Sequence, residues 1–263
     1  MKILLIADVH NRPKKKRLRR KKTLSGLKKL IDTTPCDLIV FLGDTIHGPD
    51  IKNEAPNYEK YLREVFDLTG NVPFATVFGN HDDECDITKE AILSMLSHYP
   101  NCLTSGRNYV LNMQGEVLLF IDSGTYFEGE GSHYDTVKPE IIEWAKGEIE
   151  GERAILFQHI IVPDIKEITK GRRFKKGVEF TGRIKESPCP PDINTGELKE
   201  LSPYLKAAVF GHDHKNDFET EMLGVKLIQC AGAGLNSYEY PQRPTAKLLD
   251  TKTLETQTIK IKG

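Results

Sequence analysis

Three apolar runs near the start of the chain each end in a polar residue: KILLIA (2–7), DLIVFL (37–42) and PFATVF (73–78). Unbroken runs of this kind suit strands covered on both faces, not the alternation of a half-exposed sheet. The intervening segments LSGLKKLI (24–31) and YEKYLREVFDL (58–68), and TKEAILSMLSHY (88–99) after them, space their apolar residues for helices. This alternation predicts a parallel sheet with crossover helices over the first hundred residues. Further on, NYVLNMQGEVLLFID (108–122) reads as a hairpin turning at Gln114-Gly115, PEIIEWAKGEI (139–149) as a helix and RAILFQH (153–159) as a strand. LKAAVF (205–210), VKLIQC (225–230), TAKLLDT and TQTIKIK complete the strands. Residues 164–205 are rich in Lys, Gly and Pro, lack periodicity and are expected to form a long surface excursion. Neither a repeat nor a linker divides the 263 residues, so a single domain over 1–263 is expected.

No apolar stretch is long enough to span a bilayer. The opening MKILLIADVH meets Asp8 too early for a signal peptide. The five cysteines (Cys36, Cys85, Cys102, Cys189, Cys230) are odd in number and form no C-x-x-C pair, which argues against a disulfide framework. A cytoplasmic protein without membrane contact is therefore expected. The net charge of −1 conceals an asymmetry: RPKKKRLRRKK (12–22) holds nine of the 37 Lys and Arg, and without it 28 basic residues face 38 acidic ones.

The chemistry gathers where apolar runs end. The first is followed by Asp8 and His10, the second by Asp44, the third by Asn80 and His81, and two later ones by His159 and by His212 and His214. Asp8, Asp44 and Asn80 are spaced by 36 residues each, about one strand–helix–strand unit, so adjacent parallel strands would bring them to one rim. Taken alone, Asp44 could be a turn aspartate and Asn80 a left-handed turn residue. Packing does not explain metal-competent groups at five strand ends. Carboxylate, imidazole and amide oxygen suit Mn, Fe, Zn and similar ions. With one carboxylate bridging, the seven groups other than His81 supply four ligands to each of two metals, an arrangement suited to in-line displacement at phosphorus.

In this order the motifs D-x-H (DVH), G-D, G-N-H-D (GNHD), a lone His (FQH) and G-H-x-H (GHDH) resemble the calcineurin-like metallophosphoesterase superfamily, over residues 8–214. The resemblance implies an α/β fold of two stacked mixed β-sheets flanked by α-helices, with the site at the sheet ends. It implies that Asp8, His10, Asp44 and His214 bind one metal, and Asp44, Asn80, His159 and His212 the other. FQHIIVPDI, GHDHKNDF, DSG (122–124) and PEIIEW look like the small phosphatases grouped near the purple acid phosphatases. Purple enzymes lack the His of D-x-H and carry a metal-ligating Tyr three residues after the G-D aspartate. Here His10 is present and His47 takes the place of that Tyr, so tyrosinate ligation to iron is not expected.

The implied reaction is hydrolysis of a phosphate ester, a phosphomonoester above all, by a hydroxide held between the metals. His81 is the expected acid for the leaving oxygen. Two other readings remain. The basic run favours a nuclease or nucleic-acid phosphodiesterase, but few aromatics accompany it for base stacking. A non-catalytic metal-binding scaffold on the same fold would show substituted ligands, whereas every ligand position here is filled. The basic run begins two residues after His10, so Lys14, Lys15, Lys16 and Arg17 could form a positive collar that draws a polyanionic substrate to an otherwise acidic body. It could equally be the solvated start of the first helix.

Overall fold

Each early apolar run is a strand because both of its faces find apolar cover. Leu4 and Ile6 pack outward with Leu27 and Leu30, while Ile3 and Leu5 pack inward with Phe120 and Phe157. The structure is a computed structural model that describes residues 1–12, 16–52, 55–149, 151, 153–236 and 243–262. In chain order its strands and α-helices are β1 (Lys2–Ile6), α1 (Arg17–Thr33), β2 (Leu38–Leu42), α2 (Tyr58–Phe66), β3 (Phe74–Val77), α3 (Lys89–Leu96), β4 (Tyr109–Met113), β5 (Glu116–Phe120), α4 (Pro139–Glu148) and β6 (Ala154–Phe157). They continue as α5 (Ile165–Ile168), β7 (Phe180–Arg183), α6 (Glu197–Leu201), β8 (Leu205–Phe210), β9 (Asp217–Met222), β10 (Val225–Gln229), β11 (Thr245–Asp250) and β12 (Thr256–Lys260).

Two mixed sheets result. One has five strands in the order β12-β11-β1-β2-β3, and the other seven in the order β4-β5-β6-β8-β10-β9-β7. β1, β2 and β3 run parallel side by side, as do β5, β6, β8 and β10. The layer between the sheets is apolar, with Leu5, Val40, Leu42 and Val77 facing Leu118, Phe120, Ile155 and Val209. Helices α1, α2 and α3 cover the outer face of the smaller sheet, and α4, α5 and α6 that of the larger. The expected architecture of two stacked sheets flanked by helices is therefore present.

Local signals hold at several boundaries. Thr88 caps α3 by accepting from the Ala91 N–H at 3.2 Å. The β4–β5 hairpin turns at Gln114 and Gly115, both at positive φ (50° and 80°), as a two-residue turn requires. Three differences from the sequence reading have physical causes. α1 begins at Arg17, so part of the basic run forms its first turns; Lys14 and Lys15 lie outside the described residues. β9 was not anticipated, because Asp217 and Glu219 look like loop residues until paired with Lys247. The 164–205 stretch contains α5, α6 and the exposed edge strand β7, and its Ile165, Leu198 and Leu201 join the outer core.

Candidate metal centre

The parallel strands β1, β2 and β3 release Asp8, His10, Asp44 and Asn80 at one edge of the smaller sheet. From the larger sheet, β6 and β8 release His159, His212 and His214 toward the same place. Here the backbone leaves regular geometry. Asp8, His10, Asp44 and His212 have φ of 51°, 43°, 49° and 70°, half of the eight non-glycine residues at positive φ among those described. Such conformations cost on the order of 1–3 kcal/mol each and persist where the surroundings impose them. Here the ladder N–H groups of Asp8 and His10 donate to the Gly43 and Asp44 carbonyls at 3.2 and 2.9 Å. Gly79 is required beside them: a Cβ there would stand 2.1 Å from Asp44 Oδ1.

Each aspartate divides its two oxygens. Asp8 Oδ2 accepts from the His212 backbone N–H at 3.0 Å, and Asp44 Oδ1 from that of His81 at 2.9 Å. Asp8 Oδ1 and Asp44 Oδ2 are buried and accept no hydrogen bond. Asp44 Oδ2 instead lies 3.4 Å from both His10 Nε2 and His159 Nε2, and Asp8 Oδ1 lies 3.3 Å from His214 Nε2. The imidazoles also face one another: His10 Nε2 is 2.9 Å from His214 Nε2, and His212 Nδ1 is 3.3 Å from His159 Nε2. Asn80 Oδ1 is 3.2 Å from His159 Nε2. The structure thus brings together all seven residues singled out as ligands.

Two groups have the spacing and composition to hold cations: Asp8, His10, Asp44 and His214, and Asp44, His159 and His212. The donor set fits divalent ions by chemistry as well, with carboxylate oxygens left without donors and nitrogens converging on them. Its electrostatics point the same way. Burial pulls His159 down, but Asp44 and then Asp8 more than offset this and push the imidazole up to about 10. Burial alone would raise Asp44; His159 and His10 reverse that and hold it well below the usual carboxylate range. Burial drives His10 and His212 well below the ordinary histidine value. The carboxylates thus favour positive charge at His159, while burial and the crowded imidazoles disfavour it on His10 and His212.

His81 stands beside this set. Its ring centroid is 5.4 Å from that of His10 and 4.9 Å from that of His47, and its Nδ1 is held by the Glu84 carboxylate. Burial would lower its pKa, but Glu84 and Asp44 raise it above the ordinary value. His47 does not join either cation-competent group; its Nδ1 faces His10 Nδ1 at 3.3 Å.

Several residues to which the sequence assigned no role support the site. Asp82 accepts from the backbone N–H groups of Asp44, Ile46 and Gly79 at 2.9, 3.0 and 2.8 Å, tying two motif loops together. Its place directly after the G-N-H triplet was a usable signal. Tyr126 accepts from Asn80 Nδ2 at 3.2 Å, and the Tyr134 ring meets His212 edge-on at 4.6 Å. Both lie on the loop after β5, where nothing in the sequence marks them.

Among known proteins, a relative from Arabidopsis thaliana described as probable inactive purple acid phosphatase 14 is 29% identical over 261 residues, covering 82% of this chain and 63% of that protein. A second Arabidopsis relative, probable inactive purple acid phosphatase 29, is 26% identical over 252 residues, covering 77% and 60%. The chain thus spans about three-fifths of these relatives' length. A dimetal phosphatase from Danio rerio shares the fold, with a TM-score of 0.66 over 99% of each chain at 15% identity. The sequence profile of the calcineurin-like phosphoesterases matches residues 1–216, a span that includes every residue of the histidine–carboxylate cluster, and the chain belongs to that family.

Proposed function

We propose that the protein hydrolyses a phosphate ester, a phosphomonoester by preference, at two divalent metal ions. Asp8, His10, Asp44 and His214 would hold one ion, and Asp44, Asn80, His159 and His212 the other. The observation that carries this reading is Asp44 Oδ2: buried, without a hydrogen-bond donor, and equidistant at 3.4 Å from an imidazole of each group. When bound, the two ions supply Lewis acidity, offsetting phosphate charge and lowering the pKa of an attacking water.

The chain's own groups supply the rest. Asp82 fixes the loop that carries Asp44, and the His81 backbone N–H orients the Asp44 carboxylate. Glu84 occupies His81 Nδ1. Nε2 is then the nitrogen that can turn toward a leaving oxygen and protonate it. Because Glu84 and Asp44 favour the charged imidazole, a proton is available there.

A second reading, a metal-binding module without turnover, draws on the description of the Arabidopsis relatives as inactive. Loading with Mn²⁺, Fe²⁺ or Zn²⁺, metal analysis, and a screen of phosphomonoesters, phosphodiesters and nucleotides separate the two. Two ions per chain with turnover of a monoester support the phosphatase. Two ions without turnover of any ester support the module, and a chain that takes up no ion overturns both.

A further inference from the structure

We propose that His47 is the hydrogen-bond acceptor that fixes the tautomer of His10, presenting His10 Nε2 as a lone pair toward a cation. The inference rests on the dinuclear reading above and deepens it.

His10 is buried with each ring nitrogen committed to a different neighbourhood. Nε2 faces the acids and the second imidazole: His214 Nε2 at 2.9 Å, Asp44 Oδ2 at 3.4 Å and Asp8 Oδ1 at 3.9 Å. Nδ1 points the other way, to His47 Nδ1 at 3.3 Å, with the rings crossing edge-on at 61°. Two nitrogens at that distance share one proton. A neutral imidazole that offers a lone pair at Nε2 carries its proton on Nδ1. His10 Nδ1 is therefore the donor, His47 Nδ1 the acceptor, and the remaining proton of His47 sits on its Nε2.

His159 offers an internal comparison. It also aims Nε2 at Asp44 Oδ2, and its Nδ1 lies 2.7 Å from the Leu42 carbonyl oxygen, which can only accept. One imidazole on each side of Asp44 thus has its outward nitrogen satisfied by an acceptor: a backbone carbonyl for His159, a side chain for His10. Partners of this kind orient a ligating histidine and raise its basicity.

His47 is held for this task. Its N–H donates to the Asn11 carbonyl at 3.2 Å, and its own carbonyl accepts from the Asp50 N–H at 3.1 Å. Arg12 grips Asp50 through Nε and Nη2 at 2.6 and 3.0 Å. These bonds fix the backbone from which the ring projects toward His10. His47 thus acts behind His10 as a positioning residue.

The test measures Zn²⁺ binding by competition with a chromophoric chelator, and the His10 tautomer by imidazole ¹⁵N NMR of the Zn²⁺-loaded protein. In the wild type, two ions should bind and His10 should show an Nδ1–H. In His47→Phe, which keeps a ring without an acceptor, affinity for one ion should fall about 10–100-fold while the other is retained. His47→Asn places an amide oxygen near the position of Nδ1 and should restore most of the loss. If His47→Phe does not fold, His47→Ala against His47→Asn makes the same comparison. Wild-type affinity for both ions in His47→Phe or His47→Ala, or a His10 protonated at Nε2 in the loaded wild type, overturns this inference alone. A wild-type chain that binds no Zn²⁺ overturns it together with the dinuclear reading.

Discussion

Two clusters of buried charge have different consequences. At the strand ends, Asp8 and Asp44 face histidines, and each keeps one oxygen without a donor. Where β11 meets β9, Lys247 is also buried but balanced: it lies 2.7 Å from Asp217 and 3.4 Å from Glu219, with Thr258 Oγ1 at 3.2 Å, and Lys226 lies 2.6 Å from Glu219. The balanced cluster sits on regular strands. The unbalanced one sits on backbone held at positive φ in four places. Burial of charge therefore does not mark the functional region. What marks the candidate metal centre is carboxylate oxygen left without a donor on backbone held away from its easy conformations.

The comparison can be broken at either end, and Asp44 should give the largest effect. In Asp44→Asn, turnover should fall to assay background and metal content should drop from two ions to one or none, while the metal-free protein melts no lower than wild type. Lys247→Met should do the reverse. It takes the cation from Asp217, while Glu219 keeps Lys226, and should cost about 3–5 kcal/mol in chemical denaturation, yet leave metal content and turnover per folded molecule intact. If Lys247→Met loses metal, or Asp44→Asn unfolds the metal-free protein, the two clusters are not different in kind.

His81 lies at the boundary, paired with Glu84 yet packed among the site histidines. His81→Ala should keep both ions and lose about 10²–10⁴-fold in kcat, the usual contribution of a general acid. The loss should be greatest for alkyl esters and smallest for nitrophenyl esters, whose leaving groups scarcely need a proton. An equal loss across leaving groups assigns His81 to binding alone.

Much of this was legible in the sequence, for a reason visible in β1, β2 and β3. Each pairs a mostly apolar strand, readable by composition, with a buried polar residue shortly after its end. Periodicity thus located the core and, by its endings, the site. What failed to show was whatever depended on partners distant in the chain. β9 carries acids that become tolerable beside Lys247, contributed by β11, and Lys226, contributed by β10. Tyr126 matters only because its loop, 46 residues beyond Asn80, returns to that amide. β7 is four residues at an exposed edge, with Gly182 inside it and too few apolar positions to set a period.

A third way of neutralising a buried carboxyl is to protonate it, and Glu197 shows it. Its Oε1 is buried without a donor, and burial pushes its pKa up to about 8 from an ordinary 4.5. The folded state holds this proton more tightly than the unfolded chain. Stability from this group is therefore lost as pH rises from about 4.5 to about 8, by about 1.4 kcal/mol per unit. Glu197→Gln should match wild type near pH 5 and exceed it increasingly toward pH 8 in denaturant titrations. Curves that stay parallel over that range would mean that Glu197 is ionised and paired.

The smallest expected effect concerns the basic run. Arg12 and Arg20 are tied to Asp50 and Glu64, whereas Arg17, Lys21 and Lys22 stand exposed on the first turns of α1. That end of a helix favours acids, and none lies in the first turn of α1. Arg17, in that turn, therefore costs the helix about a few tenths of a kcal/mol. A cost without local return suits a surface that attracts polyanions toward an acidic body. Replacing Arg17, Lys21 and Lys22 with Gln should leave kcat/KM for a small monoester unchanged. For a polyanionic ester it should fall about threefold to tenfold at low salt, at the modest end of electrostatic steering. The difference should fade as ionic strength passes about 0.15 M, where screening confines such fields to about 8 Å. Unfolding should shift slightly upward, since like charges at the positive end of the helix have been removed. If the melting point rises while both substrates are hydrolysed as by wild type at low salt, the run is a solvated helix start with no part in substrate capture.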